Sequence, residues 1–99
     1  MSYTTLSIFT PGSKWDGIEN GSAEWGAIFQ ETFAILAEHG AEQVGNFFVP
    51  GMAANVSIQT YADRDTALRC QAKMVEGGYL NYQSGGEAIP IEDYVGIVS

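Results

Sequence analysis

Residues able to do acid, base or nucleophilic chemistry are sparse in this chain of 99 residues, which holds one histidine and one cysteine. Any histidine-based general base or metal centre must use His39. That residue stands just before Gly40, in the last turn of a helical pattern, where the macrodipole favours an imidazolium, so its position reads as structural. Cys70 lies among apolar positions of a second helical pattern and reads as a small core thiol; a lone cysteine also excludes an internal disulfide. Asp16, Glu19, Asn20 and Glu24 crowd one region, but their spacing is not that of a calcium loop, and zinc would want Cys or His ligands. No metal site and no cofactor are expected. Gly85-Gly86 opens no helix and precedes no lysine, so it is not a phosphate loop.

Charge narrows the partners. Twelve acidic and four basic residues give a net charge of -8. Lys14, Arg64, Arg69 and Lys73 are too few to neutralise a nucleic acid or an anionic membrane, and the three in the second helical pattern have Asp63, Asp65 and Glu76 within pairing distance. With no bridged cysteines, no leader pattern and no apolar run long enough to span a bilayer, a cytoplasmic location is expected.

The elements that must position these groups follow from periodicity. Tyr3 to Thr10 alternates as a half-buried strand ended by Pro11-Gly12. Ser22 caps a helix running to His39, with Trp25, Phe29, Phe33 and Leu36 as its core stripe and Gly40 as its stop. Glu42 to Val49 and Asn55 to Tyr61 read as a hairpin turned at Pro50-Gly51. A second helix spans about Asp63 to Gly77, with the stripe Leu68, Ala72, Val75 and Tyr79. Asn81 to Pro90 reads as turn-rich, leading to a closing strand from about Ile91 to Val98.

The order βαββαβ in residues 1–99 predicts one α+β domain of ferredoxin-like type, a four-stranded antiparallel sheet with two helices on one face. Alternation allots Leu6, Ile8, Val56, Ile58, Val95 and Ile97 to the helix side. Tyr3, Ser7, Phe9, Ser57, Gln59, Tyr61, Tyr94 and Val98 then fall on an open face, with more aromatic area than a soluble monomer usually leaves bare.

This element order, the amphipathic open face and the passage Ile58-Gln59-Thr60-Tyr61-Ala62-Asp63-Arg64-Asp65-Thr66-Ala67 resemble the dimeric α/β-barrel superfamily. The resemblance covers nearly the whole chain. It implies a homodimer formed through the open sheet faces and enclosing a barrel. Members of that superfamily include cofactor-independent monooxygenases, haem-degrading enzymes, dehydratases, isomerases and stress-responsive proteins, so function has to come from the site.

In the expected topology the β1–α1 loop, the hairpin turn and the α2–β4 loop share one end of the sheet, bringing Trp15, Met52 and Tyr82 together. The loop from Pro11 to Gly21 is long for such a connection and carries Trp15 and Ile18. Trp15 is either a lid over a cavity or a plug packed on its own core or on a partner. Two functions follow. One is binding of a small, largely apolar molecule within the dimer, with Ser7, Phe9, Trp15, Gln59, Tyr61 and Tyr94 as candidate contacts. The alternative is a cofactor-independent monooxygenase, isomerase or dehydratase in which Tyr94, Tyr61, Ser7 and Gln59 orient a phenolic or carbonyl substrate.

Overall fold

The computed structural model describes residues 2–99. The chain begins with strand β1 (Tyr3–Pro11), makes a short 3-10 turn at Ser13–Trp15, and enters helix α1 (Ala23–Glu38). The Ser22 hydroxyl caps α1 by accepting from the Trp25 N–H, and Gly40, at a φ of 64°, lets the chain leave it. Strands β2 (Glu42–Val49) and β3 (Ala54–Tyr61) form the expected hairpin, closed by a 3-10 turn at Pro50–Met52. Asp63 caps helix α2 (Arg64–Glu76) through a 2.7 Å bond from the Thr66 N–H, which holds the Asp63 carboxyl below its ordinary value. Strand β4 (Leu80–Glu87) and helix α3 (Ile91–Val98) complete the described chain.

The four strands form one antiparallel sheet in the order β2-β3-β1-β4. Each helical crossover therefore skips a strand, and the strand skipped belongs to the other crossover. This is an α+β arrangement compatible with a ferredoxin-like fold, to which α3 is an addition. Ile35 and Leu36 of α1 and Ala67, Cys70 and Met74 of α2 meet Tyr61 and Leu80 in one core on one side of the sheet. Lys73 of α2 reaches Glu38 of α1 at 2.8 Å, and Lys14 reaches Glu31 at 3.2 Å.

Three expectations are corrected. The closing strand is β4, which apart from Leu80 falls in the stretch read as turns, while Ile91–Val98 is helical. Pairing decides the first: β4 lies along β1 despite Asn81, Ser84, Gly85 and Gly86, and Gly85, at a φ of 134°, passes so close to the Leu6 carbonyl that a Cβ would stand 2.2 Å from it. For α3 the β-branched residues mislead, since the helical spacing of Ile91, Tyr94, Val95 and Val98, with Glu92 and Asp93 in the first turn, outweighs their strand preference. Tyr94, Val95 and Ile97 thus lie outside the sheet.

The second correction exchanges the two faces. Tyr61 is 1% exposed against α2, and its cross-strand partner Tyr3 packs on the same core. The pairs Thr5 with Gln59, Ser7 with Ser57, and Phe9 with Asn55 share that face, so Leu6, Ile8, Val56 and Ile58 point away from α1 and α2. Alternation fixes which residues travel together; it does not say which set the helices cover. The third correction is one of helix phase. The buried residues of α2 are Ala67, Cys70 and Met74, whereas Leu68 and Val75 are exposed.

Candidate functional site

Between α1 and the inner face of the sheet lies a cavity of about 390 Å³. Its walls explain the first helix's aromatic stripe. Ile28, Ile35 and Leu36 are the buried residues of α1, while Trp25, Phe29 and Phe33 line the cavity and serve it rather than a filled core. Phe29 is the centre of a ring ladder, edge-on to Trp15 at 4.9 Å and to Trp25 at 4.6 Å, and stacked on Phe33 at 6.2 Å.

The opposite wall is polar. Gln43, Asn46, Asn55, Ser57 and Gln59 reach the cavity from the β2–β3 hairpin. Gln43 faces Gln59, and Asn46 faces Ser57 across the two strands. Plain alternation would send Gln43 and Asn46 to opposite faces. A register shift between Gln43 and Gly45 restores them to one side, leaving Val44 exposed.

Gln59 is oriented from behind. The Tyr61 hydroxyl donates to its Oε1 at 2.8 Å, which turns the amide nitrogen, a double donor, away from that bond. Burial pushes the Tyr61 phenol well above its ordinary range, and burial does the same to Tyr82, which is edge-on to Phe9 at 6.4 Å. Burial also raises the Cys70 thiol, outweighing the Tyr61 hydroxyl beside it. All three groups are therefore neutral near pH 7. The cavity meets rings and uncharged hydrogen-bonding groups, with Asp16 at its exposed rim.

Of Trp15, Met52 and Tyr82, expected to gather at one end of the sheet, Trp15 and Tyr82 meet at the cavity, whereas Met52 is exposed and does not line it. Trp15 and Tyr82 line the cavity together with Phe9 and Leu80. The Trp15 indole N–H donates to the Tyr79 carbonyl at 2.7 Å, and the Gly12 and Lys14 amides bond to the carbonyls of Tyr79 and Gly78. Lys14 also lies over the Tyr79 ring at 4.6 Å and shares Glu31 with the Tyr79 hydroxyl. Those hydrogen bonds raise the Lys14 ammonium and lower the Glu31 carboxyl from their ordinary values. Trp15 is thus fastened to the α2–β4 turn, while Ile18 and Asn20, farther along the loop, border the opening.

Of the six candidate contacts, Phe9, Trp15 and Gln59 come together on the cavity. Tyr61 stands behind Gln59. Ser7 is buried and borders a shallower depression with Gln71, Tyr82 and Gln83, and Tyr94 is on α3, 51% exposed. His39 is not among the residues lining the cavity and donates its Nδ1–H to the Ile35 carbonyl at 2.7 Å, tying it to its own helix. No three His, Cys, Asp or Glu side chains converge as metal ligands among the described residues, nor is any helix there long and apolar enough to cross a membrane. Of the polar wall, Gln59 alone is among the candidate contacts, although amides and a hydroxyl at Asn55, Ser57 and Gln59 recur with period two on one strand.

No known protein family matches this chain. No curated protein is significantly similar to it either. The geometry of the cavity carries the functional reading.

Proposed function

We propose that the domain binds a small, uncharged aromatic molecule bearing carbonyl or hydroxyl groups, in the cavity between α1 and the sheet. The observation that carries this is the division of the walls: Trp15, Trp25, Phe29 and Phe33 on one side, five side chains with neutral hydrogen-bonding groups on the other. A planar ring packs against the first wall, and its oxygens exchange hydrogen bonds with the second. The volume lies within the roughly 300–1,000 Å³ of small-molecule sites and suits about two or three rings. A phosphorylated or carboxylated ligand fits poorly, because no Lys or Arg is among the lining residues, Lys14 next to Trp15 is engaged by Glu31, and the chain is strongly acidic.

The fold reading extends to assembly: the domain is a ferredoxin-like subunit that pairs with a second copy through the open sheet face, in the manner of a dimeric α/β barrel. Leu6, Ile8, Val56, Ile58 and Phe47 make that face apolar. The ligand cavity is then inside each subunit, on the side of the sheet away from the partner.

The test is native mass spectrometry of the freshly purified protein, followed by calorimetric titration with neutral phenols, quinones and aromatic ketones and with their carboxylated counterparts. A retained neutral mass or saturable binding of the uncharged series, weakened at least tenfold by Phe29→Ala, is expected. Preference for the carboxylated series, or binding indifferent to Phe29→Ala, would refute the assignment.

A further inference from the structure

Helix α3 is an amphipathic element without a place in its own domain. Every residue from Ile91 to Ser99 is exposed, including Ile91 at 66%, Tyr94 and Val95 at 51% and Val98 at 61%. These four recur at i, i+3, i+4 and i+7 and form one stripe, with Glu92, Asp93 and Gly96 off it. An apolar stripe on an eight-residue helix does not hold that helix together in water; it needs a surface. The start of the segment is fixed. The Ala88 N–H bonds to the Thr4 carbonyl at 2.8 Å, extending the β1–β4 ladder, so the arm leaves from the β4 edge of the sheet beside the open face.

We infer that α3 is an exchanged arm, packed on the open sheet face of a second copy of this chain and receiving that copy's arm in return. The inference rests on the pairing proposed above and assigns the element that completes it. Two observations select a second copy. One is charge: on a chain of net charge -8, the two central strands present the uncharged Thr4, Leu6, Ile8, Val56, Ile58 and Thr60 on this face, and Glu42, paired with Thr60, stands at its β2 edge, where laying β2 over β4 keeps the Glu42 carboxylates of two copies apart. The other is area. Four strands about 4.8 Å apart and some eight residues long present roughly 500 Å² of flat face. A stable interface buries roughly 600–1,000 Å² per partner, and a donated arm about 12 Å long and 10 Å wide adds its own underside of roughly 120 Å², bringing each protomer to roughly 620 Å². A two-fold axis along the strands lays the β4 edge of one protomer over the β2 edge of the other. There Phe47, 57% exposed on the open face, is the acceptor for Tyr94 and Val95.

The experiment measures dimer dissociation by sedimentation equilibrium for the full-length chain and for Val95→Asp, Ile58→Lys and Glu92→Gln. Val95 and Glu92 are exposed in the protomer, so their substitution leaves its fold intact, which circular dichroism checks. The wild type is expected to be a dimer at micromolar concentration. Val95→Asp and Ile58→Lys should each weaken it by at least a hundredfold, and Glu92→Gln by less than threefold. In a sample mixing methyl-labelled and unlabelled chains, filtered NOEs should join α3 methyl groups of one chain to Phe47 of the other. A monomeric wild type would overturn the pairing and the arm together. A dimer broken by Ile58→Lys but indifferent to Val95→Asp would leave the pairing standing and overturn the arm. Tighter association of Val95→Asp, with no interchain NOE, would show α3 folding back on its own sheet, which also overturns it.

Discussion

The bond from Tyr61 to Gln59 joins the core to the cavity wall, and it can be tested as a two-residue cycle. Tyr61 is 1% exposed, and its hydroxyl donates to Gln59 at 2.8 Å. Gln59→Leu removes the acceptor and leaves a buried hydroxyl with only the weakly accepting Cys70 sulfur beside it, at a cost of about 1–3 kcal/mol. Tyr61→Phe loses the bond but strands nothing in the dry core, because the Gln59 amide borders the cavity and water can reach it; the cost is about 0.5–1.5 kcal/mol. The double variant removes donor and acceptor together. It should be no less stable than Gln59→Leu alone, giving a coupling of about 1 kcal/mol. Urea unfolding at one fixed protein concentration reads these values, and for a domain of this size about 1 kcal/mol moves the melting temperature by about 4–8 °C. Additivity of the two single effects within about 0.3 kcal/mol would refute the argument that Tyr61 orients Gln59.

Other consequences follow from the same packing. Thr5 is 3% exposed and its hydroxyl lacks a hydrogen-bond partner among the described residues, so Thr5→Val should leave stability unchanged or raise it by up to about 1 kcal/mol; a loss above about 1 kcal/mol on urea unfolding would show the hydroxyl to be satisfied. A Cβ on Gly12 would stand 2.3 Å from the Gly78 carbonyl oxygen, and backbone cannot step aside as a side chain can. Gly12→Ala should cost about 1–3 kcal/mol and raise the solvent exposure of Trp15, read as a red shift of its emission in a Trp25→Phe background; unchanged emission and stability would contradict the contact. The pH profile of thermal stability should be flat between about pH 5 and 9. Glu31, Glu38 and Asp63 have lowered values in the folded protein, so their contribution is present above their ordinary range and is lost as pH falls through the folded values, modestly because they are exposed. Cys70, Tyr61 and Tyr82 are raised by burial, and Lys14 and Lys73 by their hydrogen bonds, so stability should also fall as pH rises from about 9; a profile still rising above about pH 9 would contradict this.

Much of the architecture is legible in the chain because its signals are local. Ser22, Asp63, Gly40 and Pro50-Gly51 mark caps and turns through interactions within a few residues, and α1, α2, β2 and β3 stand where those residues place them. What is not legible depends on distant neighbours. Strand β4 is made by pairing with β1 and the close approach of Gly85, and its own residues carry little strand preference. Which parity of β1 and β3 faces the helices is likewise a tertiary fact: the face with Thr5, Ser7 and Ser57 is inward because Tyr61 fills the space beside Cys70 and Met74. The site was legible in part. Phe9, Trp15 and Gln59 could be marked by residue type and loop length, but the Gln43–Asn46 wall depends on a register shift that no alternating pattern displays, and the open space that makes Phe29 a cavity residue has no sequence signature.

The central claim, recognition of an uncharged aromatic molecule between the ring wall and the amide wall, is tested most directly by following side-chain N–H resonances during titration. The Trp15 and Trp25 indoles and the amides of Gln43, Asn46, Asn55 and Gln59 each give their own signal in a ¹⁵N-labelled sample. A neutral aromatic ketone or quinone that binds should shift all of these together and saturably, while His39 and the α3 amides stay fixed. Shifts confined to the outer sheet face, or a set of neutral aromatics that leaves every one of these six side chains unmoved, would contradict the account.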